Sequence, residues 1–379
     1  MDKVRIGIVG VGGMGSAHAS NVSQMETATL AAVCDIDPST LKATSEKYGV
    51  PGFANHLDLL SSGLVDAVMI ATPHYFHPPI AVDAFARGLH VLSEKPIAVT
   101  VAAADGMIAA AKASGLKFAV MYQMRTEPVY MAAKRLIDEG RLGEIYRTCL
   151  IMGWYRSQAY YDSGGWRATW TGEGGGVLIN QAPHLLDIFS WLVGMPESIH
   201  GQVWTQIHDI EVEDEAFAFL AYPNGAHGYL YTSTTEVPGA DILEIAGEKG
   251  KLRVQNGKLS FFELAMPRKQ FTVECESMWA SPEASELPVD LTESATGHGA
   301  ITANWVDAIV NDAPLISPGE QGLNAVELIN GMIMSGHTNA PVKLPVDRAA
   351  YDELLDGLRA SSKGKTGLRE QRVTDPQHA

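Results

Sequence analysis

Val4-Arg5-Ile6-Gly7-Ile8-Val9-Gly10-Val11-Gly12-Gly13-Met14-Gly15 lies near the start of the sequence and decides how the first third of the chain folds. Val4 to Val9 is a short β-branched run that reads as a strand. Glycines follow at once, and Ser16 to Met25 reads as a helix. In this spacing the first glycine permits a tight turn and the second lets backbone approach a pyrophosphate. The third lets helix pack closely on strand. The helix start then offers N–H donors and a partial positive charge to phosphate. A bare G-x-G-x-x-G is a weak signal, but here it follows a strand and opens a helix. Asp35 ends the next strand at the expected distance, about twenty residues on. A carboxylate there bonds ribose hydroxyls and repels a 2′-phosphate, and no Arg follows it. NAD is therefore expected in preference to NADP, held by Gly10, Gly12, Gly13, Met14, Gly15 and Asp35. A glycine turn without a ligand is the competing reading.

Working outward, strands and helices alternate. Thr29–Cys34, Val65–Ala71, His90–Ser93 and Lys117–Tyr122 read as strands. Pro38–Tyr48, Ile80–Ala86 and Val101–Ala113 read as helices, stopped by Gly49, Gly88 and Gly115. Continuous apolar strands alternating with helices imply a parallel sheet covered on both faces, a doubly wound Rossmann domain over residues 1–125. Thr72–Pro73 and His77 follow one strand end and Gln123 and Arg125 another, so all are expected at the ligand crevice. His77 is equally readable as a helix-start residue.

After Arg125 the pattern changes. Helices are expected at Val129–Glu139, His184–Val193, Ile301–Val310 and Leu323–Met334. Ile145–Met152 reads as a strand, and residues 199 to 273 read as an antiparallel sheet. Pro223-Asn224-Gly225 serves as one hairpin turn. This is an α+β second domain, 126–361, followed by a polar tail, 362–379.

The chain has 379 residues, 46% hydrophobic and 19% charged, enough for two domains with packed cores. Its net charge of −16 and the lack of clustered Lys and Arg argue against nucleic acid and an anionic membrane. No run of 18 apolar residues is present, and the N-terminal stretch is too short and Gly-rich for a signal peptide. Three scattered cysteines with no C-x-x-C favour a reducing cytoplasm over a disulfide framework or a structural zinc site. His74 with His77, and His208 with Glu211, are pairs without a third partner, so no metal is expected.

Gly10–Gly15, Ala71-Thr-Pro-His-Tyr-Phe-His77, Glu94-Lys95-Pro96 and Gly174-Gly-Gly-Val-Leu-Ile-Asn180-Gln-Ala-Pro-His184-Leu-Leu-Asp187, in this order, resemble the Gfo/Idh/MocA oxidoreductases. The resemblance runs from about Val4 to about Pro345. Within the family the chain is most similar to sugar-oxidising members, near levoglucosan and glycoside 3-dehydrogenases. It implies a Rossmann domain joined to a large, mainly antiparallel open sheet, with homodimers or homotetramers formed through that sheet. It also implies that Lys95, beside Glu94 and before a cis-proline, sits between nicotinamide and substrate.

Chemistry agrees with that place. Oxidising a secondary alcohol needs a group that takes the hydroxyl proton. A desolvated lysine beside a cationic nicotinamide has a lowered pKa suited to the task. A surface salt-bridge lysine is the plainer reading. His184 is the second acid/base candidate, against a role as a core histidine. The family form is Asp-x-x-x-His, whereas this chain has Asn180. Asparagine can bond a sugar hydroxyl but cannot be a base, so a three-residue proton relay is in doubt. Asn180 could also cap the helix of His184, and Asp187 could orient His184 or bind substrate.

Between Trp154 and Trp170, three tryptophans, three tyrosines and two arginines fall in seventeen residues. Aromatic faces stack on sugar C–H faces, while Tyr and Arg bond hydroxyls. Tyr155 is therefore a substrate candidate, with Arg125, Lys95, Asn180 and His184, and the resemblance implies that the pair Trp166–Arg167, ahead of the glycines, approaches cofactor and substrate. An aromatic packing loop is the alternative. The expected function is NAD-dependent hydride transfer from a secondary alcohol of a sugar, glycoside or cyclic polyol. The alternative is a redox-neutral glycoside-cleaving enzyme that retains NAD.

Overall fold

The computed structural model describes residues 3–292 and 294–365. The polar tail expected after Ser361 therefore lies outside the described residues from 366 onward.

Six strands form the first sheet: β1 Val4–Val9, β2 Ala28–Cys34, β3 Gly52–Phe53, β4 Ala67–Ile70, β5 His90–Ser93 and β6 Phe118–Val120. All pair in parallel, in the order β3-β2-β1-β4-β5-β6. The order reverses beside β1, and a crevice opens there at the carboxyl ends of the strands. Helices α1 Gly13–Ser23, α2 Pro38–Tyr48, α3 His56–Leu60, α4 His77–Phe85 and α5 Val101–Ser114 connect them. Their ends follow local chemistry. Asp37 caps α2 by accepting from Thr40 N at 2.7 Å, Pro38 occupies its first turn, and Gly49 stops it at φ +64°. Thr100 caps α5, and Gly115 closes it at φ +68°.

The second sheet has nine strands: β7 Ile145–Tyr155, β8 Ser198–Trp204, β9 Glu215–Ala221, β10 His227–Ser233, β11 Thr235–Gly247, β12 Gly250–Gln255, β13 Lys258–Leu264, β14 Ala284–Leu287 and β15 Val342–Lys343. Their order is β14-β13-β12-β11-β7-β10-β9-β8-β15. Every pair is antiparallel except β7 with β10. Its helices are α6 Pro128–Asp138, α7 Gln158–Tyr161, α8 Val177–Asn180, α9 Pro183–Val193, α10 Arg268–Glu274, α11 Gly297–Asn311, α12 Gly322–Thr338 and α13 Arg348–Ser361. Helices α9 and α12 cover one face. The other is open, and along β9 Phe217 and Phe219 stand exposed between buried Ala216, Ala218 and Leu220.

Several features depart from the sequence pattern. The strands expected to run to residue 273 stop earlier, at Leu264, and α10 Arg268–Glu274 follows, while short helices α3, α7 and α8 fall where none was expected. Helix α11 returns to the first sheet and buries Ile301, Trp305 and Val306 against Ile6, Ile8 and Leu92. Helix α13, for which no helix was expected, buries Tyr351 and Leu355 one turn apart and is capped by Asp347. On the opposite face of the first sheet the core continues into the second domain. There Asn330 of α12 accepts from Val101 N at 2.9 Å and donates to Val99 O at 3.0 Å.

Candidate active site

The nucleotide end is built from backbone. Gly10 turns at φ +85°, and a Cβ there would lie 2.7 Å from Ala71 O. A Cβ on Gly15 would lie 1.8 Å from Gly10 O, so only glycine lets α1 press this closely on the turn. Gly12 faces open space, with nothing within 4 Å of a Cβ, which is the room a phosphate needs. No side chain caps α1, so its first N–H groups stay available to an anion. Gly13 and Met14 begin the helix itself. Asp35 accepts from Val11 N and Asp37 N, both at 2.9 Å, one on each oxygen. That fixes its carboxylate beside the turn and leaves lone pairs for ribose hydroxyls. Next to it Ile36 is 89% exposed, an apolar platform that sequence reading passed over.

Further along the same edge, Thr72 Oγ1 and Gln123 Oε1 are buried without a hydrogen-bond partner. Orphaned buried polar atoms carry a free-energy cost that a bound polar group relieves. These groups would fit a dinucleotide, with α1 holding its phosphates, Asp35 its ribose, and Thr72, Pro73 and Gln123 its amide-bearing end. His77 corrects the expectation of cofactor contact. It is fully buried, with Nδ1 2.8 Å from Pro96 O and Nε2 2.6 Å from Thr72 O, and so ties together the loops after β4 and β5.

Glu94 closes β5. It bonds His18 Nε2 at 2.7 Å and accepts from Lys95 N at 3.2 Å. Burial would push its carboxyl up, but His18, His298 and Lys95 outweigh that and hold it at about 2. The Lys95–Pro96 peptide is cis. Lys95 Nζ donates to Asn180 O at 2.8 Å, the carbonyl of the last residue of α8. Burial drives the amine below the ordinary lysine value; Glu94 and Glu173 oppose the shift and Arg167 adds to it.

Asn180 is not a cap. The residue before α9 is Ala182, with no side-chain cap bond, and the Asn180 amide donates to Glu173 Oε1 while its Oδ1 accepts from Tyr160 OH. Tyr160 OH also receives Arg167 Nη1, and Gln181 Nε2 at 2.8 Å. The Arg167 guanidinium stacks on Tyr160 at 4.3 Å and Trp166 at 4.7 Å, and its buried Nε has no partner. Trp166 meets the His74 ring edge-on at 5.7 Å. His184, 8% exposed in the first turn of α9, meets the Tyr122 ring edge-on at 6.2 Å. Tyr155 stands half exposed at the end of β7.

Arg125 corrects another expectation. It is 2% exposed, and its guanidinium forks onto Asp187 at 2.8 and 2.6 Å, with further bonds to Ile316 O and Gln321. It joins the end of the first sheet to α9 and is not turned toward a ligand. Asp187 is fully buried in this pair; burial pushes its carboxyl up and Arg125 opposes that. Sequence reasoning missed Glu173, Gln181, Tyr160 and His18. A lone carboxylate among the glycines of Gly172–Gly176 was the available signal for Glu173.

The oxidoreductase family with an NAD-binding Rossmann fold matches residues 4–122, and the GFO/IDH/MocA C-terminal domain matches 130–253. The chain belongs to this family and is an NAD-dependent oxidoreductase. A putative UDP-kanosamine synthase oxidoreductase subunit of Amycolatopsis mediterranei is 31% identical over 295 residues, 78% of this chain and 74% of that protein. An inositol 2-dehydrogenase of Rubrobacter xylanophilus is 28% identical over 259 residues, 67% of this chain and 72% of the relative. Among solved structures, the WlbA dehydrogenase of Bordetella pertussis, in complex with NADH and UDP-GlcNAcA, superposes with a TM-score of 0.78 at 29% identity. That match covers 91% of this chain and 100% of the other. Among the described residues no helix is long and apolar enough to cross a membrane, and no three His, Cys, Asp or Glu side chains group to hold a metal.

Proposed function

We propose that the protein oxidises a secondary alcohol of a sugar, glycoside or cyclic polyol with NAD, and that Lys95 exchanges the hydroxyl proton. The observation that carries this is the Lys95 amine itself. It lies at the carboxyl edge of the nucleotide sheet, oriented by Asn180 O, with a lowered proton affinity. Bound NAD supplies the two-electron acceptor. Lys95 accepts the alcohol proton as the carbonyl forms and returns it in the reverse direction. His184 supplies a second titratable group four residues beyond Asn180. Trp166 and Tyr155 offer faces to the ring C–H groups, and Arg167 Nε offers a donor to a hydroxyl or other oxygen. The names of the relatives, among them inositol and levoglucosan dehydrogenases, support the substrate class. Three free thiols suit a reducing cytoplasm. The exposed Trp204, Phe217 and Phe219 on the open face of the second sheet suit a homo-oligomer.

The test is NADH absorbance when purified protein and NAD meet a panel of sugars, glycosides, inositols and anhydrosugars. A rise with at least one of them is expected. If NAD binds but nothing on the panel reduces it, net dehydrogenation of this class is rejected. Cleaved glycoside without net NADH would replace it with the redox-neutral reading.

A further inference from the structure

Glu173 has no role in the chemistry above, yet it is a carboxylate only 1% exposed in the loop that leads to α8. Both of its oxygens accept N–H bonds, Oε1 from Asn180 Nδ2 and Oε2 from Ala168 N. Both bonds favour the ionised group over the neutral acid. The carbonyl of the same Asn180 accepts from Lys95 Nζ. One residue therefore links a buried anion to the reactive amine. The other nearby carboxylate, Glu94, is already engaged by His18 and by the backbone N–H of Lys95.

We propose that Glu173 is a positioning residue for Lys95, orienting the amine through Asn180 and serving, beside Glu94, as a charge partner of its ammonium. This rests on the reading that Lys95 exchanges the alcohol proton. The charged and titratable groups facing Lys95 are Glu94 from the end of β5, Glu173 from the glycine loop and Arg167 from the aromatic loop, with His74 and His77 from the turn after β4. Burial and Lys95 push both histidines below their ordinary value. Burial pushes Glu173 up, and Arg167, Ala168 N–H, Asn180 and Lys95 oppose it. Without the Glu173 charge, the Lys95 ammonium loses a partner and deprotonates at lower pH. Oxidation needs the free amine, so its acidic limb moves to lower pH with it.

The experiment reads Lys95 without substrate. Acetylation of Lys95 by acetic anhydride is followed against pH by peptide mass spectrometry in wild type and Glu173→Gln. The midpoint should fall by about one pH unit or more, and Asn180→Asp added to Glu173→Gln should bring it back. An unchanged midpoint in a Glu173→Gln protein that still binds NAD overturns the proposal. Should that variant not fold, the reciprocal coupling carries the test. Lys95→Met must raise the Glu173 carboxyl by a similar amount in an infrared pH titration, and a Glu173 band that does not move overturns the proposal. Because neither readout uses turnover, this failure is distinct from failure to find an oxidisable substrate. Where a substrate is known, the acidic limb of kcat/KM must move with the labelling midpoint.

Discussion

The nucleotide side of the cleft is made of backbone, and the substrate side is made of side chains. On the first, Gly10, Gly12 and Gly15 shape a turn, α1 presents uncapped N–H groups, and Asp35 is held by two backbone donors. On the second, Lys95, Asn180, Glu173, Tyr160, Gln181 and Arg167 form one connected network drawn from the end of β5 and from α7, α8 and the loops beside them. A backbone site is contiguous in sequence and tolerates change wherever the turn survives. A side-chain network is dispersed, and each member's loss leaves another buried group unpaired.

The largest effect that would expose this difference is at Arg125. Arg125→Ala leaves Asp187 as a buried, unpaired carboxylate and should cost about 3–5 kcal/mol of stability, measured by urea unfolding. A loss below about 1 kcal/mol would mean that the pair does not hold the two domains together.

Glu213 comes next. Its Oε1 accepts from Gly176 N at 2.8 Å and Leu178 N at 3.1 Å beneath the glycine turn, and burial raises its carboxyl to about 7. The folded value lies above the unfolded one, so its stabilising contribution is complete below about pH 4.3 and is lost as pH rises through 7. The loss amounts to about 4 kcal/mol at 1.36 kcal/mol per unit. Glu213→Gln should flatten that part of the stability–pH curve, and an unchanged slope would remove Glu213 from it.

On the backbone side, Gly15→Ala should displace α1 from the turn at a cost of about 1–3 kcal/mol, read as weaker NAD binding by calorimetry. Undiminished affinity would show that close helix packing is not what forms the phosphate site. The smallest effect is at Asp35. Asp35→Ala should weaken NAD by about 1.5 kcal/mol, roughly tenfold, and narrow discrimination against NADP. An unchanged NAD to NADP ratio would leave cofactor choice unexplained by this carboxylate.

What could be read in advance follows the same division. The strand, the glycines and Asp35 lie within 35 residues of the N-terminus, and helix ends such as Asp37 and Gly49 are marked by local capping chemistry. Lys95, Asn180 and His184 stood out through motif resemblance, and Trp166 and Arg167 through resemblance and composition. Side-chain direction could not be read. Arg125 and His77 have the right residue types at the right strand ends, yet both are buried against protein partners. Glu173 was hidden because its partners lie five and seven residues on either side in a loop without periodicity. The return of α11 to the first sheet depends on Trp305 meeting strands some two hundred or more residues earlier, which no local pattern announces.

The measurement that bears most directly on this account is the Lys95→Ala variant, with NAD affinity and turnover determined side by side on one preparation. Turnover should fall about 100-fold or more, while the NAD Kd stays within about twofold, since the phosphate and ribose contacts lie on the backbone side. Wild-type turnover in this variant would contradict Lys95 as the proton-exchanging group, and loss of NAD binding would contradict the separation of the two sides of the cleft.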